Sequence, residues 1–132
     1  MVRTFGEVRL LIADAEDVVS FGDPSCAPSD AWIEQREFEA GFQFPISYKW
    51  WLRNYGGGEI NGEEIFSVYE LPLEQVKGGD AVAMSRRSGA LDEGRLLLCW
   101  PNPGEQYYFR LDDSSPESRV FWRSEVDAEE EQ

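Results

Sequence analysis

Apolar residues in the first half of the chain recur at helical spacing. In "EVRLLIADAEDVV", Val8, Leu11, Ile12 and Ala15 fall at i, i+3, i+4 and i+7, and Val18 or Val19 continues the stripe. That pattern predicts an amphipathic helix. Gly, Pro and Ser in "SFGDPSCAPSD" predict a loop after it. Ser29 is a good N-cap for a second helix, "DAWIEQREFEA", with Asp30 at its positive end and Gly41 placed to close it in the left-handed conformation. A third helix is predicted in "FPISYKWWLRNYGGG". Pro45 fits its first position, where a missing N–H is no loss. Tyr48, Trp51, Leu52 and Tyr55 share one face. Gly56 is the stop, and Gly57 and Gly58 let the chain reverse. A phosphate-binding loop precedes its helix, whereas these glycines follow one, at the end whose dipole repels anions. Trp50 points away from the Tyr48/Trp51 stripe. It is either covered by a neighbouring loop or helix, or it is an interface anchor.

Beyond the glycines the pattern becomes strand-like. "EEIFSVYEL" would place Ile65, Ser67 and Tyr69 on one face and Phe66 and Val68 on the other. Helical turns are expected around 73–76 and 81–85. "RLLLCW" is a continuous apolar run, which predicts a central strand buried on both faces. "EQYYFRL" and "SRVFWRS" are two further strands, joined by the turn cluster "DDSSPE" into a hairpin. Three helices followed by mostly strands give an α+β fold. The expectation is a single domain, residues 1–132, with an antiparallel sheet of four to six strands and helices packed mainly on one face. Its core spans about 5–125, and the acidic tail 126–132 is a solvated, frayed end.

The 132 residues fit one domain. There are 26 Asp and Glu against 12 Lys and Arg, a formal charge of −14. Nucleic acid and anionic membrane are therefore poor partners, and a basic partner is the natural complement. The plainer account of the charge is solubility. No apolar run approaches a membrane span, and the N-terminus lacks the pattern of a secretory signal, so a soluble, cytoplasmic protein is expected.

Histidine is absent. That excludes Ser-His-Asp and Cys-His sites and histidine-ligated zinc. Cys26 lies in a loop, and Cys99 reads as a small buried hydrophobe. Their spacing gives no support to a disulfide. The acid pairs Glu63–Glu64, Asp92–Glu93 and Asp112–Asp113 are neighbours in sequence, and strand neighbours point to opposite faces. Adjacency in sequence does not show a carboxylate cleft, and the calcium-loop pattern is not present. The expectation is a chain with no catalytic residues, no metal and no cofactor.

The segment "IEQREFEAGFQFPISYKWWLRNYGGGEINGEEIFSVYEL" resembles the signature of the SUKH superfamily, in its Smi/Knr-type branch. In that family a helix with a glutamate and a glycine leads to a Leu-Pro step, then a tyrosine, then a helix ending in an Asn-Gly-Gly turn. The matching residues here are Glu37, Gly41, Pro45, Tyr48, and Asn54 with Gly56, Gly57 and Gly58. Phe44 stands in place of the leucine, and Tyr55 interrupts the turn. "GRLLLCWPNPGEQYYFRLDD" and "SRVFWRSEVD" are similar to the family's later strands. The resemblance implies a non-catalytic interaction protein. Many bacterial members are immunity proteins that neutralise a cognate toxin, often a nuclease. Fungal members are regulatory interaction modules in cell-wall synthesis.

The expected partner is thus a cognate toxin, basic because nucleases bind phosphates, with the chain itself a monomer or weak homodimer. The strands supply aromatics to both faces, and one set lies away from the helices. Expected contact residues are Trp50, Tyr108 and Phe121 as anchors, with Glu59, Glu63, Glu64, Glu105, Asp112 and Asp113 as an acidic rim. The competing expectation is that loops, the tail or a second copy cover that face.

Overall fold

The structure, a computed structural model, describes residues 4–100, 105–110, 120–124 and 130–131. Helix α1 (Phe5–Asp14) begins at a capping box: Thr4 accepts from the Glu7 amide at 3.1 Å, and the Glu7 carboxylate accepts from the Thr4 amide. It is shorter than its apolar stripe predicts. Val19 belongs instead to strand β1 (Val19–Phe21), paired with a strand some forty residues later. None of the residues of α1 is buried, so this helix lies on the outside of the molecule.

Helices α2 (Asp30–Ala40) and α3 (Ile46–Tyr55) form where the sequence places them. Ser29 caps α2 by accepting from the Trp32 amide, and Gly41 closes it at φ 85°. Pro45 corrects its expected place. It precedes the helix as an N-cap with extended ψ and is not the first helical residue. Glu37 makes up for a proline cap that offers no side-chain acceptor: its carboxylate accepts from the Phe44 amide at 2.7 Å and lies 3.5 Å from Lys49. At the other end Gly56 takes φ 75°, and a Cβ there would lie 2.5 Å from the Cys26 carbonyl group. Only glycine fits where α3 meets the turn at Pro24–Cys26.

Strands β2 (Gly58–Ile60) and β3 (Glu63–Ile65) are joined by Asn61 and Gly62, both at positive φ, which is the geometry of a tight hairpin. The long strand expected over 63–71 ends at Ile65. Phe66, Ser67 and Val68 are all buried and do not alternate. Ser67 forms a parallel bridge with Asp80, at the start of helix α4 (Ala81–Arg87). Then follow β4 (Arg95–Cys99), buried along its whole length, β5 (Glu105–Arg110), β6 (Val120–Ser124) and β7 (Glu130–Glu131). The sheet is an antiparallel meander in chain order, six strands of three or more residues and a two-residue seventh. Glu130 and Glu131 pair with β6, so this part of the tail is not the frayed end that its acidity predicts.

Two devices hold the helices in place. The first is aromatic. The Tyr48 ring meets Phe109 at 5.8 Å and Phe44 at 5.5 Å, and Trp51 meets Phe21 edge-on at 5.4 Å. The Tyr48 hydroxyl donates to the Phe66 carbonyl at 2.6 Å. The second is ionic. Arg36 and Asp80 are both fully buried, with Nε 2.9 Å from Oδ2. Arg36 also donates to Glu39 and to the Tyr69 and Leu71 carbonyls, and Asp80 accepts from the Tyr69, Val82 and Ala83 amides. One ion pair thereby fastens α2, the 69–71 loop and the first turn of α4. Every buried charge in it has hydrogen-bonded partners, the condition under which a buried pair is tolerated.

Candidate functional site

Five strands, β2 to β6, border a depression of about 480 Å³. Register builds its floor. Ile65 lies opposite Cys99 and Cys99 opposite Tyr107, so the three form a row across the sheet. Ile60, Leu98 and Val120 extend this apolar surface, and Glu63 and Glu105 carry its charge; among the described residues no lysine or arginine lines it. Burial first, and then the charge of Glu63, pushes the Cys99 thiol above its ordinary range. Glu59 and Glu64 face each other across β2 and β3 on the opposite face of these strands, both exposed.

A larger hollow of about 620 Å³ lies between α2 and α3, beside Phe38, which is 83% exposed. Four of its five charged residues form two ion pairs. Arg53 binds Asp30 at 2.8 Å, and Lys49 lies 3.5 Å from Glu37. The sheet depression is smaller but combines an apolar floor with charge of one sign among the described residues, which is the better description of a place for a partner.

The expected contact residues divide. Glu63 and Glu105 line the depression, and Glu59 and Glu64 are exposed on the adjoining strands. Tyr108 needs correction. It has no exposed surface, because Arg95 lies over its ring at 5.3 Å and Phe121 stacks on it at 5.9 Å. It is a core residue and cannot anchor a partner. Phe121 is half-buried in that stack, with Arg110 over its ring. Trp50 is half-buried against α1: Phe5 stacks on it at 4.8 Å and Arg9 approaches its face at 5.7 Å. Asp112 and Asp113 lie outside the described residues. Among the signature residues, Tyr48 and Trp51 are buried, and the Gly57 carbonyl accepts from the Gly22 amide.

Sequence reasoning read Cys99 as a buried hydrophobe, which it is, but missed Ile60 and Ile65 as accessible apolar surface beside it, and chose Tyr108 where Tyr107 opens into the depression. The signal was parity. Tyr107 and Phe109 point to the same side of β5; Phe109 goes under Tyr48, and Tyr107 lines the hollow. The accessible apolar surface therefore continues the side of β5 that α3 packs on, and does not need a face turned away from every helix.

Among the described residues, no group of three or more Cys, Asp or Glu stands close enough to hold a metal ion, and no helix is long and apolar enough to cross a membrane. No curated protein matches the chain. Residues 30–132, from the start of α2 to the last residue, match the family described as SMI1-KNR4 cell-wall, within the SUKH group, and the chain belongs to that family.

Proposed function

We propose that this chain is an immunity protein of a bacterial polymorphic toxin system. It binds a cognate toxin in the cytoplasm and neutralises it by occlusion, without turnover, metal or cofactor. The toxin is basic, and a nuclease fits best, since a protein that grips phosphates carries the cations an acidic inhibitor complements. The observation that carries this reading is the apolar depression edged by Glu63 and Glu105, with no cation among the described residues of its lining, on a chain of charge −14. The apolar floor supplies affinity and the acids speed encounter.

The test is co-expression with the C-terminal domain of the toxin encoded beside this gene. Expected is survival of cells carrying both and death of cells carrying the toxin alone, with a purified complex in which the toxin's activity is blocked. Cells that die equally with and without this chain would overturn the reading.

A second reading has its own support. The matched family is described by cell-wall function, which favours a non-catalytic regulatory interaction module. Under that reading, deleting the gene changes sensitivity to wall-targeting agents in cells that hold no cognate toxin; unchanged sensitivity counts against it.

A further inference from the structure

We propose that α1 is a displaceable placeholder. It covers a platform at Trp50 and Asn54 of α3 that takes a partner's helix bearing an aromatic residue and an arginine four positions apart. This is a second contact for the partner argued above, and it rests on that reading for the partner's basic character.

The platform is anchored from below. Trp50 and Tyr55 pack against the core, and their rings meet edge-on at 5.7 Å. Asn54 follows Trp50 by one helical turn, so the two side chains share a face. The Asn54 side-chain amide donates to the Trp50 carbonyl at 2.8 Å, and its Oδ1 accepts from Arg9 at 2.8 Å. The present occupant shows what this surface recognises. Phe5 stacks on Trp50 at 4.8 Å, and Arg9 lies over the same ring at 5.7 Å. Phe5 and Arg9 are also one turn apart, so one helix face meets another.

That occupant is lightly held. No residue of α1 is buried, and Leu10 and Leu11 are exposed. Its 10 residues are too few for a helix that stands alone in water, so its order depends on this contact and on its cap. β1 does not depend on it, being paired with β2 from Val19 to Phe21. The turn at 16–18 is therefore a hinge on which α1 leaves with the sheet intact. Release uncovers Trp50, a residue type that concentrates binding energy. α1 competes at an effective concentration of about millimolar. A partner already seated on the sheet depression is tethered too, so its helix competes on like terms. A helix that brings an arginine also suits a chain of charge −14, whereas a second copy would bring like charge.

The first test is hydrogen exchange on the wild-type chain. Expected is exchange of α1 amides at least about tenfold faster than those of α2. The second uses an end-capped Ala/Lys helix of about 18 residues carrying Phe and Arg four apart. It is titrated into the wild type and into Phe5→Ala with Arg9→Ala, following the Trp50 indole N–H by NMR. That signal is assigned by its loss in Trp50→Phe. Expected is binding at least about tenfold tighter to the double variant, whose placeholder is weakened. A control peptide of the same charge, with Phe and Arg two apart, should bind at least about tenfold more weakly.

α1 amides as protected as those of α2 would overturn the proposal, and this measurement stands even if the variant does not fold. Equal binding to wild type and variant, equal binding of the control peptide, or no binding at all would overturn it too. So would a wild-type dimer that the double variant dissolves, since the platform would then hold a second copy's α1. None of these assays needs the toxin. Failure here with intact neutralisation removes the platform and keeps the immunity role; loss of neutralisation with these results intact removes the role and keeps the platform.

Discussion

Carboxylates do opposite work in two regions of this molecule. Asp80 is fully buried and spends its oxygens on Arg36 and three backbone amides. Glu59, Glu63 and Glu64 stand exposed on β2 and β3, and Glu59 lies opposite Glu64, a like-charge pairing that costs stability. The first region is ordered by its charges, and the second is ordered in spite of them. Residue type does not separate the two roles; burial and partners do. The acids that hold the fold together are thus distinct from those open to another molecule, so the latter are free to be changed.

The comparison is broken most directly at Asp80. Asp80→Ala leaves Arg36 buried without its main counter-charge and uncaps α4, and should cost about 3–5 kcal/mol. Urea unfolding measures it, and a loss below about 1 kcal/mol would mean that water replaces the carboxylate and the clamp is not structural. Gly56→Val comes next, at about 2–3 kcal/mol. Its positive φ is strained for any β-branched residue, and the Cys26 backbone blocks the added carbon. A variant that melts with the wild type would show that α3 can end one residue later.

Local signals carried much of this fold. The caps at Ser29, Gly41 and Gly56, the aromatic face of α3 and the buried run 95–99 are each written within a few residues. β1 was not legible. Its three residues are too short to show a period of two, they follow directly on an apolar helical stripe, and their partner β2 begins at a glycine. The clamp was hidden for a related reason: Arg36 and Asp80 are 44 residues apart, and an arginine inside an acidic helix reads as a solvated side chain. Of the candidate site, the acids were legible as charges on strands. Its floor was not, because register alone brings Ile65, Cys99 and Tyr107 into one row, and a β-bulge between Leu97 and Cys99 shifts the parity that a count along β4 would use.

A milder perturbation separates polar from apolar burial at the core. Burial, and then the charge of Asp80, hold the Tyr48 hydroxyl well above its ordinary value of 10.0. Burial and Glu63 raise Cys99 above 9.0. The unfolded chain gives up both protons above those ordinary values while the folded chain keeps them, so alkali favours unfolding. Stability from these two groups is complete below about pH 9 and falls as pH rises further. Tyr48→Phe leaves the Phe66 carbonyl without its donor, at about 1–2 kcal/mol near neutral pH. It should also flatten the alkaline decline. Denaturation midpoints of both proteins from pH 7 to 11 give the two slopes; parallel curves would show that Tyr48 does not sense the buried charge.

The smallest expected effect carries the opposite sign. Glu59→Lys turns the Glu59/Glu64 pair from like to unlike charges directly across an antiparallel strand pair. Glu59 is exposed, its opposite neighbour on β1 is Ser20, and the substitution disturbs no packing. The variant should therefore gain about 0.2–1 kcal/mol at low salt. Because both side chains meet water, screening should erase most of the gain near 1 M salt, where the Debye length is about 3 Å. Asp80→Ala should keep its cost under the same salt, since its partner is shielded from ions by burial. Denaturant curves for wild type and both variants at two salt concentrations measure the contrast. A Glu59→Lys protein that is less stable at low salt would place Glu59 in a contact that holds the sheet, and the division between structural and available acids would fail at that residue.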